Sequence, residues 1–404
     1  MTKRVIFLKH ISNFVAINIK NITFIAIMAG LYIHIPFCKS RCIYCDFYST
    51  TSINRTDEYV DALCKEMEMR RSYITDQIKS IYIGGGTPSL LSERNLTQLF
   101  ESIYKYNKVY DDKSLVEITI ECNPDDVSPA FAEFLAKLPV NRVSMGIQTF
   151  SDDRLRFLCR RHTSAQAVKA VDNLRNAGFG NISIDLMFGF PEETAEDWMK
   201  DIQKAILLNV EHISAYSLMY EEGTLLTRML SEGSIRQADD EHCLRMYEML
   251  INSLTGNGYE HYEISNFARS GFRSRHNSSY WDDTPYIGIG AAAHSYNKVS
   301  RQWNCDNIDT YITSIENGEL PTEIEHLGET TKFNDMVMTA LRTSDGLDTN
   351  KILALFGKEL YDYLLKNAKK HIDSGKLTTE GAQLRLTRKG IFVSDSVMSD
   401  LMYV

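Results

Sequence analysis

The sequence has no uninterrupted apolar run of the roughly 18 residues that a membrane span requires. Its most apolar N-terminal stretch, residues 1–28, is broken by Lys9, His10, Asn13, Asn18, Lys20 and Asn21. That stretch also lacks a small-residue cleavage site, which argues against a secretory signal. It contains no acidic residue, so a surface-lying amphipathic helix is a weaker reading of it. MAGLYIHIPFC opens directly on a strand, and translation is expected to start at Met28, leaving 1–28 as an extension. The chain has no basic surplus either: 44 Lys and Arg stand against 53 Asp and Glu, a net charge of −9. This argues against an electrostatic grip on nucleic acid or anionic lipid. There is no Cys-x2-Cys-His for c-type haem attachment, no low-complexity tract, and no repeat beyond a strand–helix alternation.

What is present is an ordinary globular composition, 44% hydrophobic and 24% charged, over 404 residues. That length suggests two or three domains, or one barrel with an appendage. Eight cysteines are distributed unevenly. Cys38, Cys42 and Cys45 fall within eight residues, while Cys64, Cys122, Cys159, Cys243 and Cys305 lie singly. A secreted disulfide scaffold would spread pairs through a short chain, so the expectation is a reduced, cytoplasmic protein. The five scattered thiols are expected to be buried small hydrophobes.

From residue 31 to about 220, short apolar runs alternate with amphipathic stretches. The runs are 31–35, 80–83, 115–120, 142–147, 182–188 and 212–218; the helical stretches lie near 55–77, 92–106, 128–136, 163–177 and 194–208. Such alternation reads as parallel βαβ units, in an open sheet or a complete or partial barrel. Gly84, Glu121 and Gln148 end three of the runs and Asp185 interrupts a fourth. In parallel α/β folds the carboxyl ends of strands carry the site, so these polar groups are expected to converge on one mouth. Beyond about 223 come two helical stretches, 225–232 and 238–256, then the alternating GYEHYEISNFARSG and the aromatic RHNSSYWDDTPYIGIGAAAHSY. After about 325, helices near 332–343, 348–354 and 358–371 precede a hairpin at Leu377–Thr387 around Gly381, a winged-helix-like pattern. The expected segments are therefore 29–222, 223–325 and 326–404.

Cys38-x3-Cys42-x2-Cys45 follows the first strand. Three thiolates on one loop suit a soft metal centre. Structural zinc wants a fourth ligand, for which His34 is the nearby candidate. A [4Fe–4S] cluster held by three cysteines leaves one iron open.

This spacing, with Tyr44 between the last two cysteines, resembles the radical S-adenosylmethionine superfamily. The likeness implies a partial (β/α)6 barrel of TIM type, followed by an α+β region and the winged-helix-like module. It implies a [4Fe–4S] cluster on Cys38, Cys42 and Cys45, and S-adenosylmethionine beside it. YIGGGTPSLL matches the family's glycine motif, which places Gly84, Gly85, Gly86 and Thr87 at the methionine moiety. Glu121, Gln148, Arg160 and Asp185 match positions for the nucleoside and carboxylate, with Arg161 the alternative to Arg160; Tyr32 and Phe47 join the cofactor set. Arginine pairs with carboxylates, and acidic side chains accept from ribose hydroxyls.

YIHIPFCKSRCIYCDFYS, SMGIQTF, IDLMFGFP, YSLMYEEGT and GYEHYEISNFA together resemble the coproporphyrinogen III oxidase-like group over roughly residues 29–400. That group comprises an oxygen-independent oxidase and a haem-chaperone branch. The oxidase has a fourth cysteine where Phe47 stands here, and an N-terminal segment not recognised in residues 1–28. The chaperone branch carries His-Asn-x-x-Tyr-Trp, matched by His276-Asn277-Ser278-Ser279-Tyr280-Trp281. The resemblance thus implies haem as ligand, with His276 the candidate axial residue, and recipient haemoproteins as partners. His294 is a weaker candidate. Whether the chain is also an enzyme stays open, radical decarboxylation of coproporphyrinogen III being the alternative.

Overall fold

A computed structural model describes residues 28–404; the reading of the segment before Met28 lies outside the described residues. Each of the six apolar runs is a strand: β1 Met28–Ile35, β2 Gln77–Gly85, β3 Glu117–Cys122, β4 Arg142–Gln148, β5 Ile182–Phe188 and β6 His212–Ser217. They pair in parallel in sequence order. Their odd and even positions divide sharply. Leu31, Ile33 and Ile35 of β1, Ile81 and Ile83 of β2, and Ile118 and Ile120 of β3 are buried in one apolar core with the covering helices. The opposite face carries Tyr32, Ser80, Tyr82, Glu121, Ser144 and Asp185. Strict period-2 alternation follows from strand geometry, and here it encloses polar groups rather than exposing them.

The helices over the outer face start where capping chemistry places them. Ser92, Ser128, Thr163 and Thr194 accept from backbone N–H groups at the starts of Glu93–Tyr106, Pro129–Leu135, Ser164–Asn176 and Ala195–Leu207. Each cap satisfies a donor the helix leaves orphaned. The first helix, Thr56–Met69, stops well short of 77 because Arg70–Tyr73 turn the chain into β2. A short helix, Asp152–Phe157, falls between two of the expected ones.

The sheet continues past both edges of the parallel core, to twelve strands. The Tyr-rich segment forms β7 Glu260–Glu263 and β8 Asn266–Ala268, which add antiparallel to β6. On the other edge β9 Tyr286–Ile289 lies parallel to β1, followed by β10 His294–Tyr296, β11 Ser300–Asn304 and β12 Thr322–His326. A buried polar knot fastens this extension. Glu66, fully buried, accepts from Arg70, Asn304, the backbone N–H of Gly290 and the Tyr311 hydroxyl.

The main apolar core runs from Ala29 to Ile315, and a second one gathers Phe333 to Leu401. The C-terminal module holds the expected hairpin: β14 Leu377–Glu380 and β15 Gln383–Leu386, turned by Gly381 at φ 61° and joined by β13 Leu347–Asp348. Two expected helices form one element, Thr349–Asp373, interrupted at Gly357 with φ 75° and ψ −177°. Burial of the five scattered thiols holds for Cys122 alone. Cys159 is exposed, and Cys64, Cys243 and Cys305 are half-buried. Cys159 sits at φ 61° in the turn after Asp152–Phe157, which carries its side chain out of the core.

Candidate functional site

The loop after β1 is closed at its base by backbone hydrogen bonds, Cys38 N–H to the Thr50 carbonyl (2.9 Å) and Thr50 N–H to that of Pro36 (2.7 Å). Its tip is anchored by Ile43, which packs with Leu158, Met187, Phe190, Leu218 and Leu226. Ile43 also donates to the Leu158 carbonyl and accepts from Leu226 N–H. Between base and anchor, Cys38, Cys42 and Cys45 line a cavity of about 430 Å³ at the carboxyl ends of the parallel strands.

The thiols sit in a low-polarity setting. Burial raises the Cys38 pKa, and pushes that of Cys45 up to about 11. Metal binding must displace those protons. Among the described residues no three His, Cys, Asp or Glu side chains are gathered closely enough for a single metal ion. A zinc ion, with Zn–S of about 2.3 Å, would need its sulfurs within about 4 Å of each other. A polynuclear cluster takes each thiolate on a different iron, so it does not require the three sulfurs to close around one ion. His34 supplies no fourth ligand here: its Nδ1 meets the Tyr32 hydroxyl and its Nε2 the Tyr48 carbonyl, and burial lowers its pKa to about 4.

The glycine turn ends β2 against this loop. A Cβ on Gly85, at φ 113°, would come within 2.5 Å of the His34 ring, and one on Gly86 within 2.8 Å of the Phe37 carbonyl oxygen. Close packing alone therefore requires glycine at both, and Thr87 donates to Cys38 Sγ from the same turn. Gly85, Gly86 and Thr87 line the cavity; Gly84 lies behind them, its missing Cβ filled by Tyr82 and Glu121.

Glu121 and Asp185 stand on β3 and β5 facing the same space. Glu121 accepts from the Tyr82 hydroxyl (2.7 Å) and Gly85 N–H (2.9 Å). Burial pushes its carboxyl up to about 7, with Asp185 adding to the rise, and burial pushes Asp185 up to about 6. The guanidinium of Arg142, itself buried at the start of β4, opposes both shifts. These raised values contribute stability below about pH 4, and it is lost as pH rises through about 6 and 7. A ligand that donates hydroxyls to the two carboxylates favours their ionised forms and releases protons on binding. S-adenosylmethionine affinity is therefore expected to rise between pH 6 and 8, as isothermal titration in buffers of different ionisation enthalpy would read. Affinity flat across that range would mean these carboxyls do not contact the ligand.

The two adjacent arginines separate. Arg160 turns inward, donating to the Gly146 carbonyl, to Asn123 and to Cys42 Sγ, and its Nε is buried without a protein partner. Arg161 also reaches the cavity wall but is ion-paired with Asp125 (2.9 Å) and Asp126 (3.3 Å). Gln148, at φ 71°, and Tyr32 line the cavity; Phe47 stands at its rim, 66% exposed.

His276 does not line this cavity. It sits in the short helix Arg275–Ser279, whose first N–H groups are received by Glu117. Its Nδ1 meets Ser80 Oγ (3.0 Å), its Nε2 meets the Tyr280 hydroxyl (2.9 Å), and its ring stacks on Tyr82 at 5.2 Å. Burial, with Arg142 second, lowers its pKa to about 3, so the imidazole is neutral. A metal could reach Nε2 only by displacing Tyr280. His294 is exposed on β10, stacked on Trp303 at 5.9 Å. Sequence reasoning did not single out Asn123, Ser144 or Ser214, all of which line the cavity, and it named Asn277 only as part of the His-Asn-x-x-Tyr-Trp motif. Ser144 shares the inward phase of Gly146 and Gln148, a period-2 signal that could have found it.

Residues 32–205 match the radical SAM superfamily, and residues 328–393 match the HemN C-terminal domain. The chain is 33% identical to the haem chaperone HemW of Lactococcus lactis, over 92% of this chain and 96% of that protein. It is 35% identical to HemW of Bacillus subtilis, over 92% and 98%. It is 30% identical to the mitochondrial radical S-adenosyl methionine domain-containing protein 1 of Danio rerio, over 93% and 87%. Among solved structures, coproporphyrinogen III oxidase (HemN) from Escherichia coli superposes with a TM-score of 0.81 over 93% of this chain and 90% of that one. At 22% identity that likeness speaks to the fold.

Proposed function

The chain belongs to the HemW family of radical SAM proteins, and from that premise we propose that it is a cytoplasmic haem chaperone: it binds a [4Fe–4S] cluster, S-adenosylmethionine and haem, and delivers haem to haemoproteins. In this reading 29–222 is the cofactor-binding partial barrel, 223–325 carries the His-Asn-x-x-Tyr-Trp motif, and 326–404 is an appended winged-helix-like module. Among the described residues no helix is long and apolar enough to cross a membrane.

The chain's own residues fit the cofactors. Cys38, Cys42 and Cys45 would hold three irons, and the fourth would remain open to an amino acid. When bound, such a cluster supplies one-electron chemistry at that open iron. Gly85, Gly86 and Thr87 offer close backbone approach, Glu121 and Asp185 accept hydroxyls, and Arg160 has a buried donor in reserve for a carboxylate. Tyr280 offers an aromatic ring beside the neutral imidazole of His276.

The observation that carries the chaperone reading over the oxidase is Phe47. Where the oxidase has a fourth cysteine, this chain sets an exposed phenyl ring at the rim of the cofactor cavity. The test is anaerobic incubation of the cluster-loaded chain with S-adenosylmethionine, reductant and coproporphyrinogen III. The expected outcome is no protoporphyrinogen; its formation at catalytic turnover would establish the decarboxylase instead.

A further inference from the structure

A second, larger cavity of about 780 Å³ lies on the other side of the His-Asn-x-x-Tyr-Trp helix. No local sequence pattern marks it, because its walls come from three separate regions: the motif, strands β9–β11, and the C-terminal helices Glu329–Leu341 and Thr349–Asp373. The motif is shared between the two cavities. Asn277 faces the cofactor cavity, while Ser278, Tyr280 and Trp281 face the second one. Tyr280 is the link, lining the second cavity while bonding His276 Nε2, and His276 in turn stacks on Tyr82 of the cofactor cavity.

The chemistry of this cavity is specific. Its volume falls in the range of about 300–1,000 Å³ typical of small-molecule sites. Its inner wall is aromatic: Tyr280 meets Tyr286 edge-on at 4.8 Å, and Tyr286 lies 6.2 Å from Tyr296. Its acids are already engaged. Asp335 pairs with Arg301, Asp283 accepts from Tyr296, Asp345 faces Arg273, Asp348 caps the following helix, and Asp282 accepts from Thr284 N–H. The side chains of Lys332 and Lys351, on the two helices of the outer wall, have no ion-pair or hydrogen-bond partner among the described residues. Trp281 Nε1 is a buried donor without an acceptor, in a class of group that is nearly always satisfied. An aromatic wall facing spare cations and a spare donor suits a flat, aromatic, anionic ligand.

We propose that this cavity is the tetrapyrrole dock: the macrocycle lies against Tyr280, Tyr286 and Tyr296, and its carboxylates are received by Lys332 and Lys351 of the C-terminal module. The proposal rests on the haem-binding reading and adds the place, the carboxylate receptors and a role for the C-terminal module as the outer wall. No histidine lines the cavity, so the ring and carboxylates hold the ligand, and His276 becomes available to iron only when Tyr280 releases Nε2. Metal-free porphyrin therefore docks as haem does.

The test titrates the full-length chain with hemin, followed by its Soret band, and with protoporphyrin IX, followed by fluorescence. Two variants are compared: Lys332→Glu with Lys351→Glu, and Thr339→Trp, which fills the cavity. Each is expected to weaken both ligands by on the order of tenfold or more, with iron and sulfide content unchanged. Neither lysine side chain makes an ion pair or hydrogen bond among the described residues, so the charge-reversal variant separates docking from folding. Wild-type affinity for hemin in both variants would overturn the dock while leaving haem binding intact. Binding of hemin without any binding of protoporphyrin IX would overturn it too, because iron ligation would then be the main hold. A wild-type chain that binds no hemin would instead remove the functional reading itself.

Discussion

Replacing any one of Cys38, Cys42 or Cys45 by alanine is expected to reduce the iron and sulfide of the anaerobically reconstituted chain from about four of each to near background. The loop has no further thiol. His34, the closest histidine in sequence, spends both ring nitrogens on Tyr32 and Tyr48, and Phe47 stands where a further thiol would be. Two thiolates on a loop anchored mainly through Ile43 would leave two irons without protein ligands. The fold should survive the change, because the loop base is held by Cys38 and Thr50 backbone groups that alanine retains. Unchanged far-UV circular dichroism with lost absorbance near 400 nm is the expected pair of readings. Retention of a full cluster by the Cys45→Ala variant would show that the cluster ligands lie elsewhere. Replacement of a scattered cysteine such as Cys305 should leave iron content unaltered.

The largest effect on stability is expected at Glu66. Glu66→Ala removes the acceptor of four donors at once and leaves the Arg70 guanidinium buried without its counter-charge, although Gly288, Ser295 and Gln302 still receive it. Breaking a buried pair from one side costs about 3–5 kcal/mol, which lowers the thermal midpoint by on the order of 10 °C. The damage should be directional. Glu66 joins the helix Thr56–Met69 to the turn after β9, the end of β11 and Tyr311. Hydrogen exchange in 286–315 should therefore rise more than in β3–β5. Glu66→Gln, which keeps the shape and loses the charge, should fall between alanine and wild type. Urea unfolding checks the ordering; a loss below about 1 kcal/mol for Glu66→Ala would mean the knot contributes little.

The parallel core was legible in the sequence because its apolar runs obey one period and each is followed by a cappable helix start. Ile182–Phe188 is the same in both readings. The sheet extension was not legible. Tyr286–Ile289 pairs with a strand about 250 residues earlier, and β10 is only three residues long. Short strands in Gly/Ala-rich sequence carry no usable period, and their identity depends on partners the local pattern does not reveal. Gly288 shows why the glycine is there: a Cβ would come within 2.1 Å of the His294 carbonyl oxygen.

At the site, the cysteine spacing announced a metal loop, and the polar residues at strand ends announced a mouth. The inward turn of Arg160 was beyond the sequence, since the choice between neighbours is made by the φ of 61° at Cys159 and by the Asp125–Asp126 pair that holds Arg161. Arg142 was hidden for a similar reason. An arginine opening a strand reads as a solvated end, yet it is 1% exposed and opposes the rise of the two carboxyls at the cavity. The placement of His276 beneath a tyrosine hydroxyl likewise emerges only when β1, β2 and the motif helix are packed together.

The central claim, haem carriage and release, is tested most directly by transfer. The cluster-loaded chain is saturated with hemin, freed of excess, and mixed with an apo-haemoprotein separated from it by a size-selective step. The account predicts that the recipient acquires its native Soret spectrum while the chain loses haem in equal measure. Haem that stays on the chain with every recipient offered, together with conversion of coproporphyrinogen III by the same preparation, would contradict it.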